Sequence, residues 1–570
     1  MSKTRGFAPQ SEWNRIDWRK LERTVFKLQN RIYRASQRGD VRVVRKLQRT
    51  LMKSWSAKML AVRKVTQQNK GKKTAGIDGK KALYSKHRLD LVVSLKIYRK
   101  PQPTRRVWIP KPGRDEKRPL GIPTIYDRAL QALVKQALEP EWEAKFEPNS
   151  YGFRPGRSCH DAIGAIFSGI KGMPKWVLDA DISKCFDKIN HNALIQKLNT
   201  YPSMRRLIKH WLKAGVMDGG TFSPTKEGTP QGGIISPLLA NIALHGMEER
   251  IKRYGESLPG RKVANRQALN IVRYADDFVI MHKDPSVIKE CREVIGKWLS
   301  DIGLELKPSK TKIVHTMEGF DFLGFNIRQY KVGKTHSKQG FKTIIKPSQK
   351  SIKEHYERLA SIIDKHKAAP QEALIRHLRP IIRGWCNYYS AVCSKRTYSK
   401  IDNMLWNKLQ RWGYRRHSKK SKAWVNKKYW GTKVEKPKKP REALKVDNWV
   451  FMVDEDNFLQ KHAKTQIIRH KKVQENRSPF DGDLVYWSAR IQKHPEMTSQ
   501  KGRLLKRQEG KCTHCGLTFR SEDQIEKHHI IPRSNGGTDL DKNLELLHLH
   551  CHDAKHGKRI ETSELDENPF

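Results

Sequence analysis

The chain has 570 residues, with 115 lysines and arginines against 58 aspartates and glutamates, for a formal net charge of +57. That length allows three to five domains. A cationic excess spread along most of the chain repels itself without a polyanion, so nucleic acid is the expected partner and an anionic membrane surface the alternative. There is no apolar run of 18 or more residues, and the opening MSKTRGFAPQSEWNR lacks the apolar core of a secretory signal. These features argue against membrane insertion and for an intracellular, cytoplasmic protein.

Residues 1 to about 80 read as a basic helical extension. The stretch LERTVFKLQNRIYRASQRGDVRVVRKLQRTLMKSWSAKMLAV spaces its apolar residues by three and four and is broken at Arg38-Gly39-Asp40. It predicts two amphipathic helices whose cationic outer faces suit phosphate contact. Residues 81–340 alternate short β-rich runs (RRVWIP, KWVLDADI, IVRYADDFVIMH) with helical segments, an α+β pattern. Residues 341–420 read as helices rich in Arg, Trp and Tyr. A Lys/Pro-rich stretch, 416–445, is the best linker candidate, inside a basic region spanning 421–500. Residues 501–570 hold a small module of metal type. Five of the eight cysteines (Cys159, Cys185, Cys291, Cys386, Cys393) are scattered singly, as small buried hydrophobes are. Cys512, Cys515 and Cys551 fall together with metal-type spacing in place of a disulfide framework.

Asp276 and Asp277 sit inside an apolar run, LNIVRYADDFVIMHK, which reads as strand, acidic turn, strand. An ordinary hairpin turn favours Asn-Gly or Asp-Gly. Half-buried paired carboxylates are expensive unless a cation lies between them. A third acid stands in KWVLDADISKCFDKI, where Asp181 ends a predicted strand. If the strands pair, three carboxylates meet. Such a set suits magnesium, and two ions about 3.5–4 Å apart clamp the attacking and leaving oxygens of an in-line phosphoryl transfer. Asp179 and Asp187 read better as structural acids than as ligands.

Tyr-Ala-Asp-Asp with Asp181 and Phe186 upstream resembles the palm of reverse transcriptases. IPKPGRDEKRPLGIPTIYDR, NSYGFRPGRSCHDAI, TPQGGIISPLLANIAL, LKPSKTKIVH and FDFLGF resemble the other blocks of that family in order and spacing. The likeness runs over roughly residues 20 to 560 and is closest to group II intron-encoded proteins, whose maturase (thumb) domain LRPIIRGWCNYYS resembles. The implied fold is a right-hand polymerase with a helical thumb and a C-terminal ββα-metal (HNH) module. Asp181 and Asp276 would be the principal magnesium ligands, with Asp277 beside them. Lys111 and Arg118 would neutralise the triphosphate. Phe186 would exclude a 2′-hydroxyl and so favour deoxynucleotides, Gln231 would touch the nucleotide or its template partner, and Lys310 would approach the triphosphate or donate a proton. The aromatics Trp385, Tyr388 and Tyr389 read most simply as core residues of a helix pair.

In the last sixty residues, Cys512-x2-Cys515 and His548-x2-Cys551 form two knuckles that match a closed tetrahedral zinc site, although His550 competes with His548 for the fourth place. His528-His529, Asn543, His552 and His556 resemble the HNH nuclease motif. The resemblance implies His529 as general base, His528 and His552 with His556 as holders of one divalent metal, and Asn543 as the residue that orients the base or its loop. SPFDGDLVYWSAR resembles the family's DNA-binding segment. The expected partners are a group II intron RNA, target DNA and deoxynucleoside triphosphates, with no membrane. The expected activities are reverse transcription, splicing assistance and second-strand cutting, together amounting to intron retrohoming. The rivals are a splicing maturase with a vestigial polymerase and a host-adapted, non-mobile reverse transcriptase. Loss of an acid would favour the first, and none is lost; the maturase-like block and the HNH module argue against the second.

Overall fold

A computed structural model describes Trp13 and residues 16–81, 84–110, 116–435, 445–483, 499–519 and 523–556, with part of 486–497. Lys111 lies outside the described residues. The basic N-terminal stretch forms three helices where two were expected. Asp17 caps Trp18–Gln37 by accepting from the Lys20 amide, and Asp40, just past the left-handed Gly39, caps Val41–Lys53 in the same way. Extended Ser54 then splits off Trp55–Arg63. A one-residue break without Gly or Pro leaves the apolar spacing nearly intact, which is why periodicity alone runs through it. The buried faces, Val25, Ile32, Leu47 and Leu51 among them, share a core with the long helix Ile125–Glu143.

A four-stranded sheet runs in the order Lys117–Ile122, Thr104–Pro110, Val216–Asp218, Thr221–Ser223. A second runs Asn270–Tyr274, Asp277–His282, Trp176–Asp181, Lys312–His315, antiparallel throughout. Alternation along its strands sorts the side chains. Leu178, Ala180, Phe278 and Ile280 enter the core that holds Ile288, Ile295 and Leu299 of the helix Pro285–Ser300. Val177, Val279 and Met281 enter the other core, with Ile163 and Ile166 of Cys159–Ile170 and with the helical domain that follows. Asp181 lies in phase with Val177, and Asp277 with Val279, so both acids belong to the second face.

A three-stranded sheet (Phe320–Phe322, Phe325–Lys331, Phe341–Pro347) leads into helices Gln349–Lys365, Gln371–Tyr389 and Lys395–Arg416. The aromatics of GWCNYYS sit in the core as expected: Tyr389 is buried, and Trp385 stacks on His355 at 4.4 Å. The Lys/Pro-rich stretch departs from the linker reading over its described residues. It folds as a helix, Lys422–Tyr429, and a strand Trp430–Glu435 that pairs with Lys445–Phe451. Trp412, Tyr429, Trp430 and Phe451 pack on one another there, which anchors a segment whose charge count alone reads as solvated chain. Residues 468–480 then run as a strap from the end of the helix Gln371–Tyr389 past Cys159–Ile170 to Trp18–Gln37. Ile468 N donates to Ser390 O, Val473 N to Asp161, Tyr33 Oη to Asn476 O, and Asn30 Nδ2 to Phe480 O.

The C-terminal module is a helix, Ser499–Arg507, a hairpin of Ile525–His529 with Leu544–His548, and a final helix Leu549–Lys555 around a small core of Leu504, Phe519, Leu544 and Leu546. No helix among the described residues is long and apolar enough to cross a membrane.

Candidate functional site

The hairpin of the second sheet closes at Tyr274 opposite Asp277, leaving Ala275 and Asp276 as the turn. Asp181 faces Asp277 directly across the neighbouring strand pair, and Ile182 N donates to Asp276 O at 3.2 Å. The three acids thus meet at one end of the sheet. Burial and mutual repulsion push Asp277 up to about 7, and burial with the Asp181 charge raises Asp276. Three carboxylates this crowded suit a divalent cation, and oxygen-only ligands suit magnesium.

Ala275 holds a φ of 57°, a conformation that side chains other than Gly rarely adopt. Two residues hold it there, and sequence reasoning missed both. Arg273, 3% exposed, donates to Ala275 O and Asn241 Oδ1 at 3.1 Å and to Ser150 Oγ at 2.7 Å. Gly152 packs flat against the turn, where a Cβ would lie 2.9 Å from the Tyr274 carbonyl carbon. Their signal was present in the quoted blocks, as an Arg beside the acids and a Gly in NSYGF, but nothing in one sequence says that the two touch.

Four of the five other expected residues are described. Lys310 pairs with Asp181. Arg118 is exposed on the strand Lys117–Ile122, and its charge offsets a small part of the rise at Asp276. Phe186 is half-buried, edge-on to Phe153 at 6.0 Å. Gln231 is held by Asp187, donating to its two oxygens at 3.1 and 3.2 Å, so Asp187 is a positioning acid. Asp179, half-buried one pleat back, is pushed up to about 7 by desolvation.

In the C-terminal module, Cys512, Cys515, His548 and Cys551 bring their ligand atoms within 4.8 Å of one another. Three thiols and an imidazole at that range fit zinc. His550 Nε2 lies 3.2 Å from Cys551 Sγ and 2.8 Å from Arg63 of the N-terminal helices, while His548 is the imidazole that groups with all three cysteines.

The rings of His528, His552 and His556 are neighbours at 4.4–5.5 Å. Glu545 lies 3.0 Å from His528 Nδ1. His529 sits one residue on in the same strand, its Nε2 2.7 Å from Asp539 Oδ1, a partner the sequence did not single out. Asn543 holds the intervening loop: its Oδ1 accepts from Ile531 N, and its Nδ2 donates to Ile531 O and Thr538 O.

Four family models match the chain in order: the N-terminal domain of reverse transcriptase over residues 13–95, reverse transcriptase (RNA-dependent DNA polymerase) over 109–327, the group II intron maturase-specific domain over 352–430, and HNH endonuclease over 512–558. Protein YkfC of Escherichia coli (strain K12) is 35% identical over 328 residues, 50% of this chain and 84% of that one. Group II intron-encoded protein LtrA of Lactococcus lactis subsp. cremoris is 32% identical over 403 residues, 56% of this chain and 66% of that one. A 91 kDa protein in the cob intron of Schizosaccharomyces pombe is 32% identical over 353 residues, 51% of this chain and 44% of that one. An RNA-directed DNA polymerase domain and an HNH endonuclease domain therefore share this chain. The chain belongs to the family of group II intron-encoded reverse transcriptases and maturases.

Proposed function

We propose that the protein binds the group II intron RNA that encodes it, assists its splicing, and in the resulting ribonucleoprotein copies that RNA from a cut DNA strand. The observation that supports this most is the strand register that sets Asp181 against Asp277, with Asp276 in the turn that precedes Asp277. Asp181 and Asp276 hold two magnesium ions, with Asp277 beside them. When bound, these ions activate the primer 3′-hydroxyl and neutralise the leaving pyrophosphate. Lys111 and Arg118 bind the triphosphate. Phe186 lies under the sugar and excludes a 2′-hydroxyl. Gln231, steadied by Asp187, touches the nascent pair. Lys310 keeps a cation at Asp181 and reaches the triphosphate once the pocket fills.

In the C-terminal module, Cys512, Cys515, His548 and Cys551 hold a structural zinc. His528, His552 and His556 hold one divalent metal. His529, oriented by Asp539, takes the proton of the attacking water, and Asn543 keeps the loop in place. This module cuts the DNA strand opposite the insertion. Base pairing by the RNA supplies most of the target specificity, and the cationic surface supplies phosphate contacts.

The test reconstitutes the protein with intron RNA and a DNA target. Asp276→Asn is expected to abolish cDNA synthesis and leave splicing intact. His529→Ala is expected to abolish second-strand cutting alone. Loss of splicing in the first variant, or cutting of both strands by the second, overturns the assignment.

A further inference from the structure

The cysteine cluster turns one face to the N-terminal helices. Arg63, the last residue of the helix Trp55–Arg63, is 3% exposed. Its guanidinium lies over the Trp18 ring, 4.2 Å from the centroid, and its Nη2 reaches His550 Nε2 at 2.8 Å and Cys551 Sγ at 3.8 Å. Lys64, the next residue, pairs with Asp523 Oδ1 at 3.4 Å, and Asp523 Oδ2 lies 3.4 Å from His548 Nε2. The first knuckle rests on the helix Trp18–Gln37: Thr518 N donates to Glu22 at 2.9 Å, and Gly516, at a φ of 67°, stands against the Arg19 side chain. Leu517 is buried in the polymerase core, far in sequence from the helices it meets there.

Charge balance gives this contact a role. Three thiolates, a neutral imidazole and a divalent ion leave one net negative charge. Asp523 adds another beside the ligand His548, in the carboxylate–histidine arrangement that orients metal ligands. Cys512 and Cys551 are buried, and buried charge needs a counter-charge. Arg63 and Lys64 supply both cations, and both come from the N-terminal domain.

We infer that Arg63 and Lys64 complete the outer sphere of the zinc cluster, so that the cluster fastens the nuclease module to the N-terminal helices and metal retention and docking are one equilibrium. The inference rests on the zinc reading above. By linkage, whatever the docked state adds to metal affinity, the metal returns to docking.

The test uses the full chain. Zinc per chain is measured by atomic emission, and its release to a chromogenic chelator is timed. Arg63→Met keeps the stem and removes the charge; Arg63→Lys keeps the charge. Arg63→Met is expected to release zinc about tenfold faster or more, and Arg63→Lys to stay near the parent. Hydrogen exchange on the unmutated chain is the second readout and does not depend on a variant folding: stripping the zinc is expected to raise exchange across residues 55–68. A parent chain that holds one zinc, with exchange in 55–68 indifferent to its removal, overturns the inference and leaves the zinc reading standing. Equal release from the Met and Lys variants removes the role assigned to charge. A parent chain that holds no zinc overturns both readings.

Discussion

Asp161 ties the strap to the polymerase, and Asp161→Asn tests how much that tie carries. The carboxylate is fully buried at the start of the helix Cys159–Ile170. One oxygen accepts from Ser158 N at 2.9 Å and from the Ser158 hydroxyl at 3.0 Å, capping its own helix. The other accepts from Val473 N at 2.7 Å and His470 Nε2 at 3.0 Å, and Arg490 reaches both oxygens at 3.0 and 3.1 Å. An amide of the same shape removes the charge opposite Arg490 and turns donor hydrogens toward donors. Breaking a buried pair on one side costs about 3–5 kcal/mol, so protection of the strap from hydrogen exchange is expected to fall roughly 10²-fold or more. Local exchange over residues 468–480 is the assay, because a chain of several domains has no single unfolding free energy.

The pH arm has a definite sign. Burial alone would raise the Asp161 carboxyl, but its His470, Arg490 and Val473 donors hold it well below the usual range. Its contribution is therefore complete above about pH 4 and is lost only on further acidification. His160 and His494 pack beside it; burial lowers both, His494 to about 4. Neutral imidazoles with depressed values contribute stability that is full above about pH 6.5 and is lost as the pH falls toward 4. The strap should hold at pH 7 and loosen across that window. A change in protection worth less than about 1 kcal/mol in Asp161→Asn would refute the view that this carboxylate holds the strap.

Gly152→Ala places a methyl against the backbone of the acidic turn, where no flexible side chain can yield. Primer extension is expected to fall about 10²-fold in a folded protein, as misplacement of reacting groups by about an ångström does; unchanged turnover would show the turn to be tolerant. Asp539→Asn weakens the acceptor that orients His529. Strand cutting by the ribonucleoprotein is expected to drop about tenfold or more with primer extension untouched, and equal cutting by variant and parent would remove Asp539 from the site.

Much of the polymerase site was legible because its chemistry demands residues that composition disfavours, such as carboxylates inside β-branched runs. Strand alternation then carries Asp181 and Asp277 onto one face once the pairing is known. The residues that brace the site were not legible. Arg273 and Gly152 act on Ala275 through contacts between distant segments, and Asp539 lies in a polar loop where an acid draws no notice. The Lys/Pro-rich stretch misled because its charges hide Val425, Tyr429 and Trp430, which pack inward. His548 and His550 are both candidates in sequence, and only the fold shows that His548, at the strand-to-helix junction, comes within reach of all three cysteines.

The most direct test of the central claim is primer extension on an RNA template with magnesium, deoxynucleotides against ribonucleotides, by the parent chain, Asp276→Asn and Phe186→Val. The account predicts deoxynucleotide incorporation by the parent, none by Asp276→Asn, and ribonucleotide incorporation gained by Phe186→Val. Absence of synthesis by folded, RNA-bound parent protein would contradict it and leave a splicing factor with an inherited acidic triad.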